Sequence, residues 1–211
     1  PSDVDLSEED GQGSPGETVE VVPRSRTWIM DPICGTANYV RGIPLFVHAL
    51  SVVGDHGFEA SGIYHPGRDE MFLSDGTETT LNGTRVSVSG TASLEVAIVA
   101  VNGNQSDTRA AHRLSMVERF VPPVTRRLRI LECANLELAW VACGRLDAYV
   151  NPEDKVWDIA AGALMIASAG GVVRPFRGTL SEPLACRGVV ATNGLIHEAV
   201  QRRALREDDS E

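Results

Sequence analysis

The 211-residue chain predicts an α/β (α+β) layered sandwich, on three observations. Short strand-like runs divided by turn signals fill the first 93 residues. From residue 94 onward, strands alternate with amphipathic or Ala-rich helices. An apolar content of 43% against 23% charged residues is enough for a packed core. One folding unit in two parts is expected, 1–93 and 94–206, followed by an acidic tail at 207–211.

Residues 10–25, rich in Gly, Pro, Ser and acids, are expected to form a loop. The apolar run 27–30 predicts a buried strand ended by Asp31-Pro32, since the proline holds its predecessor away from helix. Gly35-Thr36 then opens a helix. Runs 45–53 and 59–64 are strand-like, and Gly54-Asp55-His56-Gly57 between them signals a hairpin. His65-Pro66-Gly67-Arg68-Asp69 turns the chain into a strand at 70–74, and Asn82-Gly83 is a two-residue turn ahead of a strand at 85–89. Short turns join antiparallel neighbours, so this block is antiparallel.

Residues 96–101 predict a buried strand and 109–120 an amphipathic helix, with Ala110, Leu114, Val117 and Phe120 near helical spacing. A strand at 126–131 and a helix at 134–143, stopped by Gly144, come next. A strand at 146–150 leads to an Ala-rich helix at 156–168 that Gly170-Gly171 terminates. Strands at 172–173 and 188–191 and a helix at 195–205 complete the pattern.

The formal net charge is −10, from 29 acids and 19 bases. Eleven of the acids lie in the first 20 and last five residues, which leaves 18 acids against 19 bases between them. A near-neutral body argues against a polyanion-binding surface, nucleic acid included. Arg126, Arg127 and Arg129 are expected on a solvated face. Four cysteines (Cys34, Cys133, Cys143, Cys186) without a C-x-x-C pair indicate a reducing, cytoplasmic setting. No apolar run approaches the roughly 18 residues of a membrane span. The five histidines lack the spacing of a metal pair, and neither a G-x-x-x-x-G-K-[ST] phosphate loop nor a G-x-S-x-G elbow is present.

The chemistry concentrates in three segments. Trp28 to Asn38 places Asp31 at a strand end, then a tight turn, then Gly35-Thr36 at a helix start. A carboxylate is the hard oxygen ligand that Mg²⁺ takes, and free N–H groups at a helix start suit a phosphate. An Asp-Pro turn with Thr36 as a cap accounts for the same residues. Trp157-Asp158-Ile159-Ala160-Ala161-Gly162 sets Asp158 in the first turn of a helix, where it is either a cap or a ligand. Ser7-Glu8-Glu9-Asp10 is either a solvated acidic loop or a third carboxylate source.

Taken in this order, Ser7-Glu8-Glu9, Trp28 to Tyr39 and Trp157 to Gly162 resemble the G-E-E, W-I-x-D-P-I-D-G-T-x-N-[FY] and W-D-x-A-A-G elements of the inositol monophosphatase family of Mg²⁺-dependent phosphatases. The similarity continues through Gly144 to Tyr149, Ala169-Gly170-Gly171 and Ala191-Thr192-Asn193. It implies an inositol-monophosphatase-like layered fold, truncated at its N-terminus, and Mg²⁺ or Mn²⁺ as cofactor. Glu8, Asp31 and the Ile33 carbonyl would bind one metal, and Asp31 and Asp158 a second. Gly35, Thr36 and Ala37 would meet the phosphate, with Glu8 and the Thr36 hydroxyl orienting water. Cys133, Ala134 and Asn151 match positions that touch substrate hydroxyls. A small phosphate ester as substrate and a homodimer are further implications.

Three departures from the family pattern matter. Cys34 replaces the second Asp of D-P-I-D-G-T, exchanging a hard oxygen ligand for a soft sulfur. The family's Asp-x-x-Thr element belongs upstream of this chain. Glu132 and Asn135 alter a patch of small residues that lines the family's substrate pocket. A catalytically impaired binding or assembly module is therefore an alternative. Nucleotide 3′-phosphatase, fructose bisphosphatase and histidinol phosphatase activities are alternatives within the same chemistry. Cys34 as a nucleophile has no accompanying base and is not expected.

Overall fold

The computed structural model describes residues 3–8, 26–55, 57–103, 110–180 and 182–205. The expected loop at 10–25 and tail at 207–211 lie outside these residues, as do Glu9 and Asp10.

Seven strands form the first sheet in chain order: β1 (Val4–Ser7), β2 (Thr27–Cys34), β3 (Val47–Gly54), β4 (Gly57–His65), β5 (Glu70–Ser74), β6 (Thr79–Leu81) and β7 (Thr84–Arg85). From β2 onward neighbours are antiparallel, and Gly54 faces Gly57 across the expected hairpin. The second sheet comprises β8 (Ile98–Val101), β9 (Arg127–Arg129), β10 (Ala148–Asn151), β11 (Val172–Thr179) and β12 (Glu182–Thr192), in the order β11-β12-β10-β8-β9. The helices are α1 (Thr36–Val40), α2 (Ala110–Glu118), α3 (Ala134–Ala142), α4 (Val156–Ser168) and α5 (His197–Ala204).

Helices α3 and α4 pack between the sheets and touch strands of both. Almost every position of α3 is buried, as a helix apolar all round requires. The two helices approach closely because residue 162 is Gly: a Cβ there would sit 2.3 Å from Leu138 Cβ. On the far face of the second sheet, Met116, Phe120, Val200 and Ala204 pack against Val99, Val101, Ala148 and Val150. The layers are therefore sheet, α3/α4, sheet, α2/α5. The division at residues 93 and 94 falls between the two sheets. No helix among the described residues is long and apolar enough to cross a membrane.

Several details depart from expectation. Strand β2 continues through Asp31-Pro32 to Cys34, because a register shift between Asp31 and Cys34 accommodates a residue without an N–H. β1, a strand parallel to β2, was not foreseen. β6 was not foreseen, and β7 ends at Arg85 instead of running to residue 89. Strands β11 and β12 extend well beyond 172–173 and 188–191, since each supplies the other's backbone partners along a long hairpin. Leu114 is 60% exposed, whereas Val117 and Phe120 pack on the core as expected and Met116 joins them.

Candidate metal centre

Parallel pairing of β1 and β2 sets Ser7 opposite Met30, and the Glu8 amide donates to the Met30 carbonyl at 3.4 Å. Glu8 therefore emerges from the sheet edge beside the next residue of β2, Asp31. The irregularity in β2 falls at this point, and Asp31 is only 1% exposed. Its Oδ2 accepts a long hydrogen bond from Asn135 Nδ2, 3.4 Å, while its Oδ1 has no partner among the described residues. Burial first, then the charges of Asp158 and Glu8, push the Asp31 carboxyl up to about 8.

Asp158 comes from the first turn of α4, where its Oδ2 accepts the Lys155 amide at 2.9 Å. Burial raises its carboxyl to about 6 and the Glu8 charge adds to the rise, against that amide and the Lys155 charge. One donor atom each from Asp31, Cys34 and Asp158 lies within 4.8 Å of the others. Glu8, Asp158 and Asn151 line one cleft together with Asp154, Lys155 and Trp157. Among the described residues that line this cleft the one cation is Lys155, the only lysine in the chain.

The turn after Asp31 is held on both sides. Gly35 has φ of 86°, and a Cβ there would lie 2.8 Å from the Leu45 carbonyl oxygen, so glycine is required by conformation and by space. The Thr36 hydroxyl donates to the Ile33 carbonyl at 2.9 Å. Asn38 Nδ2 donates to the carbonyls of Leu45 and Leu131, both at 2.9 Å, and so ties the turn to the segment before α3. The amides opening α1 have no acceptor within the helix, because a first turn has none.

Cys34 is buried. Its Sγ accepts the Asn135 amide at 3.4 Å, and its carbonyl accepts the Cys133 thiol at 3.3 Å. The Cys133 thiol, then burial, holds the Cys34 thiol well above its ordinary range. Without a bound cation it is a neutral thiol and not a nucleophile.

Among the positions matched to substrate contact, Asn151 lines the cleft. It is fixed there by its amide on Asp154 and by the Glu153 amide, which donates to its Oδ1 at 3.0 Å. Cys133 and Ala134 are buried, and the Cys133 thiol is engaged with Cys34, so these side chains support the turn from beneath. Asn135 is not a pocket-lining residue: it is fully buried and also donates to the Trp157 carbonyl at 3.1 Å, joining β2, α3 and α4 at one side chain. Sequence reasoning missed that role because 104 positions separate Asn135 from Asp31. A polar residue amid the apolar run of α3 was the available signal. Lys155 was missed as well; its position three residues before Asp158 was the clue.

The fold is shared with known proteins. The profile described as "Inositol monophosphatase family" matches residues 1–207. A fructose-1,6-bisphosphatase/inositol-1-monophosphatase of Thermotoga maritima is 36% identical over 83% of this chain and 66% of its own length. A protein named Nus factor SuhB from Xylella fastidiosa is 32% identical over 83% of the chain and 66% of its own length. The crystal structure of the extragenic suppressor protein SuhB from Bartonella henselae superposes with a TM-score of 0.82 at 27% identity, covering 97% of this chain and 76% of that one. The chain thus spans about two thirds of the length of the curated relatives it matches. On the profile match and these relatives, the chain belongs to the inositol monophosphatase family.

Proposed function

We propose that this chain carries the metal-binding core of a divalent-metal-dependent phosphomonoesterase acting on inositol monophosphate or a related small sugar phosphate. The observation that carries the proposal is the buried Asp31 carboxylate, whose Oδ1 lacks a partner among the described residues while Asp158 stands beside it. Three carboxylates and a carbonyl are hard oxygen donors, and the donor set of Glu8, Asp31 and the Ile33 oxygen fits Mg²⁺, with Mn²⁺ as a substitute. Asp31 and Asp158 would share a second ion. Such ions, when bound, acidify a water and offset charge on the phosphoryl oxygens.

The protein's own groups divide the remaining work. Glu8 and the Thr36 hydroxyl orient the attacking water. The amides of Gly35, Thr36 and Ala37 donate to phosphate oxygens, and the tether from Asn38 to Leu45 and Leu131 keeps those amides in register. Asn151, held by Asp154, presents its side-chain oxygen to a substrate hydroxyl, with Cys133 and Ala134 supporting the turn beneath. Residues 1–93 and 94–206 act as one catalytic domain, joined by α3 and α4. Four free cysteines suit a reducing, cytoplasmic location. A homodimer accords with the family resemblance, and sedimentation would check it.

The direct test is phosphate release from inositol monophosphate and a panel of sugar phosphates, with Mg²⁺ and with chelator. Release that Mg²⁺ stimulates and Asp31→Asn abolishes is expected; no metal-stimulated release across the panel rejects the proposal. A second reading, an impaired member retained for binding or assembly, is favoured by the neutral Cys34 thiol and by relatives named Nus factor SuhB. It predicts an inactive wild type in which Cys34→Asp gains activity or an extra equivalent of bound metal.

A further inference from the structure

We infer that the second cation position of this chain, formed by Asp31, Cys34 and Asp158, is a mixed sulfur–oxygen site that selects a thiophilic divalent cation such as Zn²⁺ or Co²⁺ over Mg²⁺. The inference rests on the proposal that these residues face a metal, and it concerns which metal they take.

Donor atoms of Asp31, Cys34 and Asp158 lie within 4.8 Å of one another. A tetrahedral ion at about 2.0–2.3 Å from each needs them roughly 3.4–3.8 Å apart, so a contraction of about 1 Å closes the site. Asp31, 1% exposed, belongs to this cluster, and among the described residues its Oδ1 lacks the interaction a buried carboxylate oxygen needs. Three protein donors is the usual ligand count of a catalytic zinc site, and one of the three, Asp158, lines the cleft. Mg²⁺ demands near-octahedral oxygen ligation and gains nothing from sulfur. The Asn135 backbone amide donates to Cys34 Sγ at 3.4 Å, a hydrogen bond that a metal-bound thiolate would keep. On binding, the S–H bond breaks, the proton leaves to solvent and sulfur donates its pair to the cation. No oxidant or reductant is required.

Chelator-stripped full chain, titrated with Co²⁺ under anaerobic conditions, tests this directly. A sulfur-to-cobalt charge-transfer band in the near ultraviolet should rise and saturate at one equivalent. Zn²⁺ should displace it, whereas a ~100-fold excess of Mg²⁺ should not. Cys34→Ser and Cys34→Asp should abolish the band with circular dichroism unchanged, Cys34→Asp should bind Mg²⁺ at least ~10-fold more tightly, and Cys133→Ser should keep the band. If Cys34→Ser fails to fold, the Cys34→Asp and Cys133→Ser pair still assigns the sulfur. A wild type without the band, a band that survives loss of Cys34, or one erased by Mg²⁺ overturns the inference. Mg²⁺-stimulated phosphate release without a cobalt band would overturn it and leave the proposed activity standing. A band without phosphate release against any ester would do the reverse.

Discussion

Two carboxylates buried in the same sheet, Glu70 and Asp31, have opposite surroundings. Glu70, 6% exposed in β5, receives both Arg145 guanidinium nitrogens at 2.7 and 2.8 Å and Arg68 Nε at 3.0 Å. The Arg145 hydrogen bond, more than any other contact, holds its carboxyl down at about 2. Asp31 has one long bond from a neutral amide, one oxygen without a partner, and two further carboxylates for neighbours. A buried charge is tolerated when a counter-charge and hydrogen bonds accompany it. The fold supplies both to Glu70; among the described residues it gives Asp31 one long hydrogen bond and no counter-charge, which is the environment the proposed metal site calls for.

The largest expected effect breaks this contrast at Asp31. Asp31→Asn removes the charge but keeps the shape, so metal-stimulated phosphate release should fall by at least ~10²–10³-fold, the loss typical of a preorganised electrostatic group. The metal-free variant should melt no lower than wild type, since an uncompensated buried charge has gone. Lower stability together with retained release would show that Asp31 is structural.

Next in size is Arg145→Ala, which should turn Glu70 into a carboxylate short of partners. A loss of about 2–3 kcal/mol is expected in denaturant melts, below the full cost of a wholly buried broken pair because the arginine is partly exposed. The two carboxylates also predict opposite pH slopes. Glu70 titrates below its ordinary value, so its stabilisation is present above pH ~4.5 and lost as pH falls toward ~2. Asp31 titrates above its ordinary value: the folded state holds a proton that the unfolded chain releases, and stability is lost as pH rises from ~4 toward ~8. Melting temperature without metal should therefore decline on both sides of pH ~4–5. Glu70→Gln should flatten the acid limb and Asp31→Asn the neutral one. Saturating Mg²⁺ should lift only the neutral limb, and a limb that ignores both metal and Asp31→Asn would break the comparison.

The contrast was half legible in the sequence. Asp31, Thr36 and Asp158 lie in local patterns, an irregularity late in β2 and two helix starts, so reading along the chain was enough to single them out. The helix at 156–168 was bounded correctly because Gly170-Gly171 stops it and its interior offers nothing to interrupt the ladder. Strand ends were poorly legible. A register shift carries β2 past Pro32, and the mutual pairing of β11 and β12 extends strands whose own residues, such as Arg174-Pro175 and Gly188, argue against them. Long-range partners were not legible at all. Nothing near Glu70 in sequence announces Arg145, 75 positions away, just as nothing near Asp31 announces Asn135. The counter-charge that makes one carboxylate structural, and its absence at the other, exist only once the sheets and α3 are assembled.

A smaller effect belongs to Asn135, the neutral group that stands where Asp31 lacks a cation. Asn135→Ala removes the amide from Asp31 Oδ2 and the extra bond to the Trp157 carbonyl and should cost about 1–3 kcal/mol of stability. Through misorientation of Asp31 it should weaken metal binding by ~10–100-fold, the range seen when outer-shell partners are removed. Asn135→Asp should be worse for metal-free stability than alanine, because it adds a fourth carboxylate to the group. Calorimetric metal titration alongside melting separates the two consequences, and intact metal affinity in a destabilised alanine variant would restrict Asn135 to packing.

The smallest expected effect concerns Lys155, the one cation among the described residues lining this cleft, with Nζ 4.8 Å from the centre of the Trp157 ring and its amide on Asp158. If that ammonium were to Asp158 what Arg145 is to Glu70, Asp158 would titrate low; instead it rises to about 6, so the lysine charge does not compensate the cluster. An exposed, mobile ammonium acts mainly through screened, long-range repulsion of other cations. Lys155→Met should keep the backbone amide bond to Asp158 and tighten divalent-cation binding by ~2–5-fold at low ionic strength, an advantage that should fade as salt is raised toward ~1 M. Weaker metal binding in Lys155→Met at every salt concentration would mean that the lysine organises the site, and the contrast between a carboxylate partnered by the fold and one left for a metal would then have to be redrawn around Asp158.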